Sequence, residues 1–276
     1  MFVKLMKYEM MSTARVFGVC YLALLAVSLL LLIPFHGVLI NGFDTDFYAG
    51  GARGMFTATL MMIYIGLIVA VCVVTLIFII KRFHVNLLGS EGYLMMTLPV
   101  STWELVLSKV VAALIWTFLS AVAIVVSMFI IGIGSVGLNE LREIFAHIPD
   151  MLGEFYKITG HHVSEYVFPA ILMCIFGVVA SVLQIYFAMM VGWQANKHKV
   201  LLSVVAFFVI CAVISFVTTG IGGGFEALIG APNGEMGGAD YQSMTWLWKS
   251  IAEDAALTVV FFLGTTLLMK NRLNLE

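Results

Sequence analysis

Residues able to do chemistry are sparse in this 276-residue chain. His147, His161 and His162, with Asp150, Glu154 and Glu165 nearby, have the composition of a zinc site. A metal needs several ligands converging on one point, and adjacent histidines point apart, so no metal site is expected. Neither G-x-S-x-G nor H-E-x-x-H occurs, and no acidic pair sits in the middle of an apolar run, which argues against serine hydrolysis and intramembrane proteolysis. The glycines at 220 and 222–224 raise the question of a phosphate loop. No lysine follows them in the order G-x-x-x-x-G-K-[ST], so residues 220–250 read as flexible turn material leading to Trp246 and Trp248, which suit a membrane-surface aromatic belt. No catalytic, cofactor-binding or metal-binding residue is assigned, and no nucleic-acid partner is expected. Cys20, Cys72, Cys174 and Cys211 all fall in apolar runs without pairing spacing and read as small hydrophobes.

Two polar features remain. Gln184 lies near the centre of an apolar run, where it either lines a substrate route or hydrogen-bonds across helices; the second is the expectation. Glu253 and Asp254 read as lying near the outer end of the last run, either attracting cations or merely solvated. The densest cluster of informative residues is 88–109, LGSEGYLMMTLPVSTWELVLSK. Gly89 and Gly92 permit tight turns. Tyr93, Leu94, Met95, Met96 and Leu98 form an apolar face that is costly to leave in water. Pro99 ends the short helix, and Ser101 or Thr102 caps the next one ahead of Glu104, whose carboxylate complements the helix dipole. A helix that only lay on lipid would carry a Lys/Arg-rich polar face. This one does not, and reads as a docking element.

The elements that hold these residues follow from composition. The chain is 62% hydrophobic and 11% charged, with a mean hydropathy of +1.07, outside the range of a soluble domain. Charge-free runs cover 16–43, 54–80, 110–139, 166–196, 200–225 and 255–269. About 20 helical residues cross a hydrocarbon core of roughly 30 Å. The expectation is an all-α polytopic membrane protein, a single transmembrane domain over 1–276, with spans at 16–40, 55–80, 104–133, 166–192, 200–221 and 250–270. The last is short unless Ile251–Asp254 joins it.

Charge sets the orientation. One side would hold Lys4, Lys7, Arg15, Lys81, Arg82, Lys109, Lys197, Lys199, Lys270 and Arg272, ten of the 14 basic residues, with only Glu9, Glu91, Glu104 and Glu276 as acids. The positive-inside rule places both termini and residues 88–102 in the cytoplasm. Residues 1–15 carry basic residues ahead of the first run and no clean cleavage site, so they read as an amphipathic elbow helix or a solvated tail rather than a signal peptide. Across the outer loop 138–165, Leu138, Leu141, Phe145, Ile148, Leu152 and Phe155 recur in steps of three and four. Pro149 predicts two short helices joined near 148–150, forming a lid, a partner surface or an interfacial pair.

The pattern E-G-Y-L-x-x-T-L-P-V-S at 91–101 resembles the cytoplasmic coupling region between the second and third membrane helices of ABC type-2, exporter-type, permease subunits. The likeness is specific in those eleven positions and architectural elsewhere. It implies that Glu91, Gly92, Tyr93, Leu94, Thr97, Leu98, Pro99 and Ser101 dock an ABC ATPase, present in two copies that carry ATP and magnesium. It further implies a second permease, identical or homologous, with which the pathway forms as a dimer, an elbow helix before the first span, export as the direction, and a multi-pass location in a bacterial cytoplasmic membrane. The competing expectation is a stand-alone regulator or ion-coupled carrier without an ATPase. A carrier would show charged residues inside its spans or paired repeats with broken helices.

Overall fold

The computed structural model describes residues 2–41, 52–88, 102–136, 138–159, 162–195, 198–229 and 236–272. Seven α-helices make up these residues: α1 (Phe2–Asn41), α2 (Ala52–Phe83), α3 (Thr102–Val136), α4 (Leu138–Thr159), α5 (Val163–Trp193), α6 (Lys199–Ile229) and α7 (Met236–Arg272). A π-helical turn, His84–Leu88, extends α2. Six helices are long and apolar enough to cross a membrane, over Thr13–Leu32, Met55–Phe83, Thr102–Gly134, Val163–Trp193, Lys199–Gly220 and Met244–Lys270. The chain is therefore an all-α, multi-pass membrane protein by the character of its helices. Backbone polar groups in hydrocarbon must be satisfied within the segment, which a helix does and an open strand does not.

Three local readings change. Residues 2–15 are helical, but no break separates them from the first span. No glycine or proline precedes Gly18, so nothing stops the helix. The outer loop forms one helix through Pro149 rather than two, its apolar periodicity outweighing the single hydrogen bond that proline removes. The glycine run at 220–224, read as turn material, is helical within α6, and α7 begins at Met236, so the last span takes in Ile251–Asp254. Glycine is a weak helix former in water, yet continuing a helix is the cheapest way to keep its N–H and C=O groups paired near a bilayer.

The chain divides into two compact units. The first comprises residues 1–78 and 112–151. Its apolar core is Leu24, Leu31 and Tyr64, with Val27, Leu60, Ile68, Ile124 and Ile131 against them. The Phe17 ring stacks on Trp116 at 4.3 Å and meets the edge of Phe78 at 5.5 Å. Hydroxyls tie the helices across this packing. Ser120 of α3 shares hydrogen bonds with Tyr21 of α1 at 2.7 Å and Thr75 of α2 at 3.0 Å, while Tyr64 and Ser127 are 2.8 Å apart. The second unit comprises residues 79–111 and 152–276. Its central helix is α5, packed against both α6 and α7. Val182, Leu183, Tyr186, Ala188, Met189 and Met190 of α5 are buried. Gly192 lets the start of α6 approach, since a Cβ there would collide with the Ser203 hydroxyl and backbone.

Interhelical hydrogen bonds in lipid average about 0.6 kcal/mol each. Ser120→Ala removes two at once and is expected to destabilise the protein by about 1 kcal/mol, and Tyr21→Phe by about half of that, in unfolding titrations in mixed micelles.

Candidate functional site

The eight residues assigned to docking, Glu91, Gly92, Tyr93, Leu94, Thr97, Leu98, Pro99 and Ser101, lie outside the described residues. The two roots of that segment are described, and both rest on α5. On the entering side, Phe83 is buried and stacks on Tyr186, with ring centroids 4.1 Å apart and planes 17° apart. The π turn then brings the His84 ring against Trp193 at 4.6 Å, edge to face, and buries Leu87. A π turn puts one extra residue into the helical register and so rotates the residues after it, a device common where a helix must present a side chain out of step. On the leaving side, the first turns of α3 bury Leu105, Val106, Ser108 and Lys109. The Tyr186 hydroxyl donates a long bond, 3.5 Å, to the Lys109 carbonyl. Tyr186 thus meets one root with its ring face and the other with its hydroxyl. Lys199, opening α6, places its ammonium 5.7 Å from the Trp193 ring, a cation–π contact at the same end of α5.

Sequence reasoning missed this seat. Its signal lay in aromatic residues at the ends of apolar runs, Phe83, Tyr186 and Trp193, and in Lys109, seven residues past the start of α3 and followed by a long apolar run. Lysine is buried only in polar company, so a Lys at that depth marks a packed junction.

Polar groups deeper in the second unit lie along α5 and on the helices that flank it. Gln184 donates through Nε2 to the Cys211 sulfur of α6 at 3.0 Å. Ser181 donates to the Gly177 carbonyl one turn back, at 2.7 Å, which satisfies its hydroxyl inside α5. Between α5 and α7 the decisive element is Gly177. A Cβ there would meet the Asp254 Oδ2 at 3.3 Å, so the carboxylate packs on the bare backbone of α5. A second close approach fixes the register: a Cβ on Gly264 would lie 2.7 Å from the Phe187 ring. Both pairs are separated by 77 residues (177 to 254, 187 to 264), so α5 and α7 run parallel without slipping. Gly177 is midway along α5, and Asp254 therefore lies halfway along that helix, not at the outer end suggested by the nearest charges. Among the described residues no basic side chain pairs with Asp254. An ionisable group at such depth, facing a neighbouring helix, marks function rather than solubility. One turn further along α7, the Thr258 hydroxyl is buried without a hydrogen-bond partner among the described residues.

The outer histidines are dispersed. His147 approaches Asp150 at 3.6 Å, both exposed on α4, and His162 stacks on Tyr156. His161 lies outside the described residues. Among the described residues no three metal-ligating side chains converge. No protein-family model, curated protein or solved structure matches the chain.

Gly264→Val forces the Phe187 ring aside and is expected to destabilise the protein by about 1–3 kcal/mol. Gly220→Ala, where the space around the α-carbon is open, is expected to leave stability unchanged or slightly raised. Equal losses in the two variants would contradict the register of α7 on α5.

Proposed function

We propose that this chain is the permease subunit of an ATP-driven exporter. It forms the substrate pathway as a dimer, with an identical or homologous partner, and couples to a separate ABC ATPase in the cell membrane. The observation that carries this reading is the seating on one helix of the two described ends that flank residues 89–101, a segment whose sequence resembles an ATPase-docking element. A loop held only by flexible ends would absorb a push. Here Phe83 and Lys109 both bear on Tyr186, so force applied at Glu91–Ser101 reaches α5 and, through the fixed register, α7. ATP binding on the partner draws two such segments together, α5 and α7 reorient, and the pathway changes its side of access. Gln184 and Asp254 are the polar groups this motion would carry past the cargo. The cargo fitting spans this poor in charge, with Asp254 facing α5 and paired with no basic side chain among the described residues, is amphipathic with a cationic head.

One observation favours a second reading. Asp254 is the kind of intramembrane carboxylate that ion-coupled carriers use, and such a carrier would need no ATPase. The two readings separate in one experiment. Purification from the native membrane in mild detergent is expected to bring down an ABC ATPase with the wild type, and Glu91→Ala with Tyr93→Ala is expected to lose it or uncouple its hydrolysis. Absence of any ATPase, with transport by the purified chain alone, would establish the carrier instead.

Two variants probe the transmission and the cargo. Tyr186→Ala is expected to keep the ATPase bound while abolishing cargo-stimulated hydrolysis. Asp254→Asn is expected to reduce efflux of a lipophilic ammonium by about tenfold, with basal ATP hydrolysis unchanged. Loss of assembly in the first, or undiminished efflux in the second, contradicts the roles given to these residues.

A further inference from the structure

Helix α4 presents two chemically opposite sides. At 100° per residue, Phe145, Ile148, Met151, Leu152 and Tyr156 fall within an arc of about 140°. All five are 37–65% exposed. Glu140, Arg142, Glu143, His147, Asp150, Glu154 and Lys157 occupy the opposite arc. Two observations say what covers the apolar side. The first is connectivity. The span in α3 ends at Gly134 and the span in α5 begins at Val163, so both ends of α4 are held within a few residues of where the chain leaves the hydrocarbon of a bilayer. The second is a fastening at the C-terminal end. Phe155 meets Tyr166 edge to face at 5.6 Å, and Tyr156 stacks on His162 at 4.7 Å, which holds the last turns of α4 to the first turn of a membrane span. A helix about 33 Å long, tethered at a bilayer boundary at both ends, has lipid as the apolar surface within reach.

We propose that α4 lies in the interfacial layer of the leaflet on its own side, with Phe145, Ile148, Met151 and Leu152 among the upper acyl chains. Charge narrows the class of surface. Four acids (Glu140, Glu143, Asp150, Glu154) face two permanent cations (Arg142, Lys157), so attraction to anionic headgroups does not hold the helix down; apolar burial does. The contact is therefore independent of anionic lipid. It is also independent of any ATPase partner, because it requires only that the flanking helices cross a membrane.

The test uses the full chain in nanodiscs, with Cys20, Cys72, Cys174 and Cys211 replaced by alanine. Single cysteines are introduced as Ile148→Cys, Met151→Cys, Glu143→Cys and Glu154→Cys, and each is labelled with a nitroxide. These positions are exposed, so the substitutions leave the core intact. Collision with apolar oxygen relative to an aqueous nickel chelate is expected to be on the order of tenfold higher at 148 and 151 than at 143 and 154. The ratios should agree between phosphatidylcholine discs and discs with added phosphatidylglycerol. Nickel access at 148 and 151 would show the helix standing off in water. Shielding from both reagents there would show a protein cover, and dipolar broadening between labels would identify it as a second copy. Either result overturns the proposal, as does lipid contact that appears only with phosphatidylglycerol.

Discussion

Lipid tails are as apolar as leucine, so burying leucine against leucine gains these helices little once they are in a membrane. Packing and hydrogen bonding must then decide which helix meets which. The described residues follow that constraint. In the first unit, Ser120 gathers hydroxyls from α1 and α2 onto α3, and Phe17 and Trp116 supply the broad contact around it. In the second, glycines set the approach: Gly192 admits the start of α6, while Gly177 and Gly264 hold α7 on α5. The many exposed valines, leucines and phenylalanines on the outward faces are what a bilayer solvates, and they need no partner in the chain.

The same constraint explains the packing of the two helix ends that flank residues 89–101 in the chain. Aromatic rings provide large, shape-specific contact with few torsions to freeze, and Phe83, Tyr186, His84 and Trp193 concentrate it at one end of α5. Tyr186 is suited to the junction because it is apolar on its face and polar at its tip. Phenylalanine there would keep the stack on Phe83 and lose the bond to the Lys109 carbonyl. The proposed coupling therefore turns on a single side chain that bears on both roots.

The membrane class and the presence of six helices able to span were legible in the sequence because charge is so strongly excluded from the runs between 16 and 269. The helical character of α4 was legible from its steps of three and four. Other features were not. Whether α1 breaks after residue 15, whether Pro149 splits α4, and whether the glycines at 220–224 form a turn depend on the cost of unpaired backbone in the surroundings, and that cost is absent from a propensity scale. The depth of Asp254 was hidden for a different reason. In a sequence, depth is counted from the nearest charges on the same helix, here Lys249 and Glu253. In the fold it is set by the neighbour, and Gly177 is halfway along α5. Gln184, by contrast, lies where its run suggested and bonds across to Cys211.

The matched separation of the Gly177–Asp254 and Gly264–Phe187 contacts has a mechanical meaning. Two notches on a pair of parallel rods, engaged at points ten residues apart, act as a key in a keyway. Sliding α7 along α5 by even one residue would carry the Phe187 ring off the bare backbone of Gly264 and against side chains of α7, while the carboxylate at the other notch left its glycine. Swivelling or tilting the pair together disturbs neither engagement. Motion of α5 is thus delivered to α7 as rotation without axial slip, and Asp254 would swing through an arc rather than travel along the membrane normal.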